Sequence, residues 1–167
     1  MIFIFNRAFH IVEAISPFHE FLNDRGSFVP AAAASQATTG GERVLTKAEL
    51  KEYDGSVDGK GPYLAVLGQV FDVSKGKDHY GPGGGYSFFS GADGSRAFVT
   101  GEFNEAGLVD DVTGLSHQDY LGLQEWLEFY HKDYSYVGKL EGKFYDAEGK
   151  ATAYKDEVRF IYYYKVI

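Results

Sequence analysis

Two tyrosines flank a run of glycine and proline in Tyr80-Gly81-Pro82-Gly83-Gly84-Gly85-Tyr86, where side-chain chemistry and backbone freedom coincide. A phenol hydroxyl donates and accepts hydrogen bonds. Once deprotonated, near pH ~10, it becomes a hard anionic oxygen donor. The intervening glycines let backbone approach a ligand closely and adopt positive φ without steric cost. On spacing alone, Tyr86 reads as a loop anchor that packs its ring and hydrogen-bonds its hydroxyl. The loop superficially suggests a phosphate cradle. It lacks the lysine of G-x-x-x-x-G-K-[ST], however, and does not run from a strand directly into a long helix, so nucleotide binding is not expected.

Other chemistries find less support. His10, His19, His79, His117 and His131 are scattered, with no i, i+4 pair and no zinc-protease arrangement, and each reads singly as a surface residue. No G-x-S-x-G nucleophile turn occurs. Asp110-Asp111 reads as a solvated pair in a polar loop rather than a metal site. With no cysteine, a disulfide framework, thiol catalysis and Cys-ligated zinc or iron–sulfur centres are excluded. The 167 residues carry 24 acidic against 16 basic side chains, a formal charge of −8, with no Lys/Arg cluster, which argues against a nucleic-acid partner. The aromatic content of 13 Tyr and 14 Phe, beside 21 Gly, points to aromatic-walled surfaces and tight loops rather than a Leu-rich helical core.

The elements that must position these residues are partly legible. Ala8, Ile11, Val12 and Ile15 fall at helical spacing for a short helix ending near Pro17, and Pro30 to Gly41 reads as a linker. No stretch is long and apolar enough to span a membrane, and the N-terminus is a poor signal-peptide core. Thr46 with Glu49 forms a capping box, with Leu45 and Leu50 as its staple, predicting a short helix that ends by Gly55. Tyr63–Leu67 and Val70–Val73 read as a hairpin turning at Gly68-Gln69. Lys75–Gly85 reads as loop without regular structure, and Asp93 as the cap of a helical turn through Phe98. Ser116 and Asp119 cap the longest helix, whose Tyr120, Leu123, Leu127 and Tyr130 recur with helical period and read as core. Tyr134–Leu140 and Lys143–Tyr145 read as strands, and the alternation of Val158, Phe160, Tyr162, Tyr164 and Val166 suits a strand as well. Strands early and late with helices between them predict a small α+β domain with its helices on one side of a sheet.

The blocks Leu64-Ala65-Val66-Leu67-Gly68-Gln69-Val70-Phe71-Asp72-Val73-Ser74, Tyr80-Gly81-Pro82, Tyr86, Gly91-Ala92-Asp93-Gly94-Ser95-Arg96-Ala97-Phe98 and Tyr136-Val137-Gly138-Lys139-Leu140 carry a resemblance in their order and spacing. Together they resemble the cytochrome b5-like heme/steroid-binding domain in its membrane-associated progesterone receptor (MAPR) version. Ser95 to Gly101 and Glu105 to Val112 look most like that family's extracellular neurotrophic branch. The resemblance implies an α+β fold with a small mixed sheet and helices packed around a ligand pocket. It implies an N-terminal tail and linker over 1–44, the domain over 45–145 and a C-terminal tail over 146–167.

By the same resemblance the cofactor is heme b. Electron-transferring cytochrome b5 takes iron on the histidine of a His-Pro-Gly-Gly turn, but here Gly81 precedes Pro82-Gly83-Gly84 and supplies no imidazole. The MAPR pattern places the axial ligand on a later tyrosine, which maps to Tyr86, with Tyr80 and Tyr134 at the heme periphery. A phenolate ligand favours Fe(III) and lowers the reduction potential, so a ferric, five-coordinate heme is implied. Where lysine often precedes the late tyrosine, this chain has Asp133, which would repel a heme propionate. His79 is a rival or sixth ligand, although its place in a polar loop suits a surface role. The implied function is a non-catalytic heme-binding protein, secreted or in the endomembrane system, acting on neuronal differentiation and survival, with a cell-surface receptor as a partner. Two alternatives stand beside it: a redox accessory of a cytochrome P450, and a steroid- or protein-interaction module without heme. Both chain ends depart from the family pattern, and a truncated or variant product is expected.

Overall fold

A computed structural model describes residues 42–164, with side chains through Ile161. The helix expected before Pro17 and the Pro30–Gly41 linker lie outside the described residues. From Glu42 onward the chain forms one compact unit. Its sheet has four strands, β1 (Val44–Leu45), β2 (Tyr63–Val66), β3 (Gln69–Asp72) and β4 (Ser135–Leu140), in the order β1-β4-β3-β2. The β2/β3 and β3/β4 pairs are antiparallel and β1/β4 is parallel, which makes the sheet mixed. Helices α1 (Lys47–Lys51), α2 (Lys77–Tyr80), α3 (Ala97–Thr100), α4 (His117–Asp133) and α5 (Ala153–Tyr164) complete the fold. Among the described residues, no helix is long and apolar enough to cross a membrane.

Both capping boxes form as the sequence predicts. Thr46 N–H donates to Glu49 at 2.7 Å while Glu49 N–H donates to the Thr46 hydroxyl at 3.1 Å. Ser116 N–H reaches Asp119 at 3.0 Å, and Asp119 N–H returns to Ser116 at 3.2 Å. Each pair satisfies amide donors that the first helical turn leaves open, stabilising its helix by about 1 kcal/mol. Leu50 of α1 then joins Leu45, Ala65, Val70 and Leu140 in a buried apolar cluster that fixes α1 against the sheet. On α4, Tyr120, Leu123, Leu127 and Tyr130 are all buried, as their period requires.

The hairpin turns one residue earlier than the sequence indicates. Leu67 and Gly68 carry φ of 50° and 70°, the pair of positive values that matches the twist of the flanking strands. Asp93 does not cap a helix. It accepts hydrogen bonds from Gly68 N–H at 3.2 Å and Ser95 N–H at 2.9 Å, while the Ser95 hydroxyl accepts from Leu67 N–H at 2.7 Å. The pair thus ties the hairpin tip to the segment leading into α3.

Four further expectations are corrected. Lys75–Gly85 is not all loop: a 3-10 turn at Ser74–Gly76 leads into α2. Lys143–Tyr145 is not a strand. The Lys143 amide donates to the Asp110 carboxylate at 2.8 Å, and Tyr145 makes only an isolated antiparallel bridge with Ala151, flanked by Thr152 N–H to the Phe144 carbonyl at 3.1 Å. Asp110 is buried rather than solvated, held also by the Lys47 ammonium at 2.8 Å. The alternating segment is helical from Val158 through Tyr164, because α5 packs on α4 and is latched by tertiary bonds: Val112 N–H donates to the Tyr154 hydroxyl at 2.8 Å, and His117 Nδ1 meets the Ile161 carbonyl at 3.2 Å.

Candidate functional site

The Gly81–Gly85 loop is pinned at both ends by main chain. Gly81 N–H closes α2 on the Lys77 carbonyl at 2.7 Å, Gly84 N–H returns to the Gly81 carbonyl at 2.9 Å, and Tyr86 N–H donates to the His79 carbonyl at 2.9 Å. A Cβ on Gly84 would stand 2.2 Å from the His79 carbonyl oxygen, so only glycine allows the loop to double back this tightly. Tyr86 then opens a second 3-10 turn, Ser87–Phe89, which carries Phe88 and Phe89 onward. The loop therefore places the Tyr80 and Tyr86 rings 6.0 Å apart.

Tyr134 arrives from the far end of α4, where it is the C-terminal cap residue. Its ring meets Tyr80 edge-on at 5.9 Å, and its hydroxyl lies against Gly76, where a Cβ would stand 3.0 Å away. The three tyrosines expected at the site are thus brought together. Ring contacts continue from Tyr86 to Phe88 (6.5 Å), Phe89 (4.6 Å), Phe98 (4.4 Å), Trp126 (5.1 Å), Phe129 (5.9 Å), Tyr134 (6.0 Å) and back through Tyr80 to Tyr86. This is a closed circuit of eight aromatic side chains drawn from α2, the loop, α3 and α4. Tyr130 touches five of them: its ring packs on Phe98, Trp126, Phe129 and Tyr134, and its hydroxyl meets that of Tyr80 at 3.0 Å. Sequence reasoning assigned Tyr130 to the core alone. The signal that it belongs to the site as well is its place one helical turn before Tyr134.

Electrostatics keep these phenols protonated. Burial pushes Tyr80 well up, reinforced by Tyr130 and Tyr134 beside it. Burial also raises Tyr130 and Tyr86. Tyr134 is raised by burial and further by the Asp133 carboxylate, against the opposing hydrogen bond from Tyr80. A phenolate at Tyr86 therefore needs a strong positive charge brought to its oxygen, which a metal ion supplies. The His79 ring lies 6.1 Å from the Tyr86 ring. Among the described residues, no group of three or more His, Cys, Asp or Glu is placed to hold a metal ion.

The residues fit an iron porphyrin by the chemistry they present. Aromatic rings suit a flat apolar macrocycle, the phenol oxygen suits ferric iron, and nothing lies within 4 Å of the Cβ positions of Gly83 and Gly85 beside Tyr86. Residues 46–141 match the family described as the cytochrome b5-like heme/steroid binding domain.

The chain belongs to that family. An Arabidopsis thaliana protein described as having a cytochrome b5 like fold superposes with a TM-score of 0.56 at 33% identity, covering 64% of this chain and 97% of that one. The likeness bears out the expected α+β architecture. Neuferricin from Xenopus tropicalis is 56% identical over 120 residues, covering 71% of this chain and 44% of that protein. Human neuferricin is 52% identical over 112 residues, covering 67% and 42% respectively. The chain spans less than half the length of these curated relatives.

Proposed function

We propose that this cytochrome b5-like domain is a non-catalytic heme-binding module of the neuferricin type, with the Tyr86 oxygen as axial ligand to a ferric, five-coordinate heme b. The observation that carries the reading is the position of Tyr86: 6% exposed, directly after the glycine loop, and in a circuit of aromatic rings with Tyr80 and Tyr134. Bound heme would supply a ferric centre of low reduction potential. Tyr86 would hold the group through its phenol oxygen once deprotonated, Tyr80 and Tyr134 would help to orient it, and Phe88, Phe89 and Phe98 would help to exclude water. The similarity to neuferricins supports a secreted or endomembrane setting and a neurotrophic role exercised through a cell-surface receptor.

Hemin titration followed by absorption tests this. The unaltered chain is expected to develop a tyrosinate-to-iron charge-transfer band, Tyr86→Phe to lose it with at least about tenfold weaker binding, and His79→Ala to keep it. An unchanged spectrum in Tyr86→Phe overturns the ligand assignment. A colourless mixture of chain and excess hemin removes the cofactor.

A further inference from the structure

A concavity lies away from Tyr80, Tyr86 and Tyr134. Between α4, α5 and the hairpin tip is a cavity of about 300 Å³, floored by Leu67, Leu123, Leu127 and Phe144, with Lys155 and Arg159 of α5 at its edge. On α4 the two sites take adjoining faces: at about 100° per residue, Leu123 and Leu127 point on average roughly 110° away from Trp126 and Phe129, with Tyr130 between them. The floor is apolar and the cations enter from one side, the arrangement that receives a ligand with a hydrocarbon tail and an anionic head.

We propose that this cavity is a second ligand site, for a medium-chain carboxylate whose tail lies on Leu123, Leu127 and Phe144 and whose head meets Lys155. Size sets the chain length. At roughly 30 Å³ per water-sized atom, the cavity accepts on the order of ten non-hydrogen atoms, enough for an eight-carbon fatty acid and far too few for a porphyrin. Charge sets the head group. The Lys155 ammonium donates to the Tyr145 hydroxyl and stands over the Tyr145 ring at 4.0 Å, which holds it at the cavity rather than in open solvent. Burial first, then Lys139 and Arg159, depress its pKa against the Asp156 and Glu42 carboxylates, which raise it. A carboxylate arriving there meets a neighbourhood where Lys139, Lys155 and Arg159 outnumber Glu42 and Asp156. The site is independent of the heme reading, since it shares no lining residue with the aromatic circuit.

Calorimetric titration of the purified chain with octanoate, octanol and acetate, with and without bound hemin, tests the site. Octanoate is expected to bind at least about tenfold more tightly than octanol, the scale of one charge-assisted hydrogen bond, and acetate to give no heat. Hemin should leave octanoate affinity unchanged. Lys155→Met should weaken octanoate about tenfold without affecting octanol, and Lys155→Arg should restore it. Equal binding of octanol and octanoate to the unaltered chain overturns the proposal whether or not the variants fold, as does absence of octanoate binding or its displacement by hemin.

Discussion

The hydroxyls of Tyr80 and Tyr130 meet at 3.0 Å, with both side chains no more than 2% exposed. One belongs to a four-residue helix before the glycine loop and the other to the last turn of the longest helix, so this bond fastens the loop to α4. Tyr130→Phe removes one partner of the Tyr80 hydroxyl, which keeps Tyr134, and loss of one buried hydrogen bond costs about 0.5–1.5 kcal/mol. Replacing both tyrosines should cost less than the sum of the single losses. Urea denaturation of the two single variants and the double variant measures the coupling, and strict additivity would show that the contact contributes nothing.

Gly84 and Gly85 should respond in opposite ways. Gly84→Ala forces its Cβ against the His79 carbonyl and is expected to cost about 1–3 kcal/mol of stability. Gly85 has open space at its Cβ position, so Gly85→Ala should leave the thermal midpoint unchanged or slightly raised. If the macrocycle lies against this loop, the same Gly85→Ala change weakens hemin binding in a titration. Full affinity in that variant would move the heme away from Gly85.

The Asp133 carboxylate raises the neighbouring Tyr134 phenol and would repel a heme propionate placed beside it. Asp133→Lys should strengthen hemin binding severalfold at low salt, an effect on the order of 1 kcal/mol for a partly exposed site. The gain should shrink as salt screens it. Equal hemin affinities for the two proteins at low ionic strength would exclude a propionate near this position.

Asp93 sets a pH dependence. Burial raises its carboxyl to about 6, against the opposing hydrogen bonds from Ser95 and Gly68. The folded form thus holds its proton more tightly than the unfolded chain, whose aspartate titrates near 3.9. Its stabilising contribution is complete below about pH 4 and is lost as pH rises through about 6, an effect on the order of 3 kcal/mol. Asp111, lowered chiefly by its bond with Lys143, works the other way, contributing above about pH 4 and losing that contribution on acidification. Urea midpoints between pH 4.5 and 7 in the native chain and in Asp93→Asn separate the two. The decline across this window should vanish in the variant, and an identical slope in both proteins would assign it elsewhere.

Local chemistry made much of this fold readable. Thr46 with Glu49 and Ser116 with Asp119 satisfy their helix ends within four residues, so no distant partner was needed to foresee them. The C-terminal alternation misled because its aromatic and β-branched residues suit strand and helix alike. The choice was made by Tyr154 and Ile161 reaching Val112 and His117, some forty residues away in the chain. Helix α2 was invisible because a single turn has no period. At the site, the glycine loop marked where Tyr80 and Tyr86 would sit, but nothing in their spacing tells an iron ligand from a packed ring. Tyr130 stayed hidden because its hydrophobic period placed it in the core, where it also sits.

The parallel pairing of Val44–Leu45 with Lys139–Leu140 bears on how the chain acquires its shape. The first strand's neighbour emerges from the ribosome nearly a hundred residues later, and until then β3 also shows a bare edge where β4 will lie. Such distant closure slows folding and leaves the nascent sheet open to wrong partners. Residues 135–140 therefore act as a clasp, and assembly of the sheet waits on their synthesis.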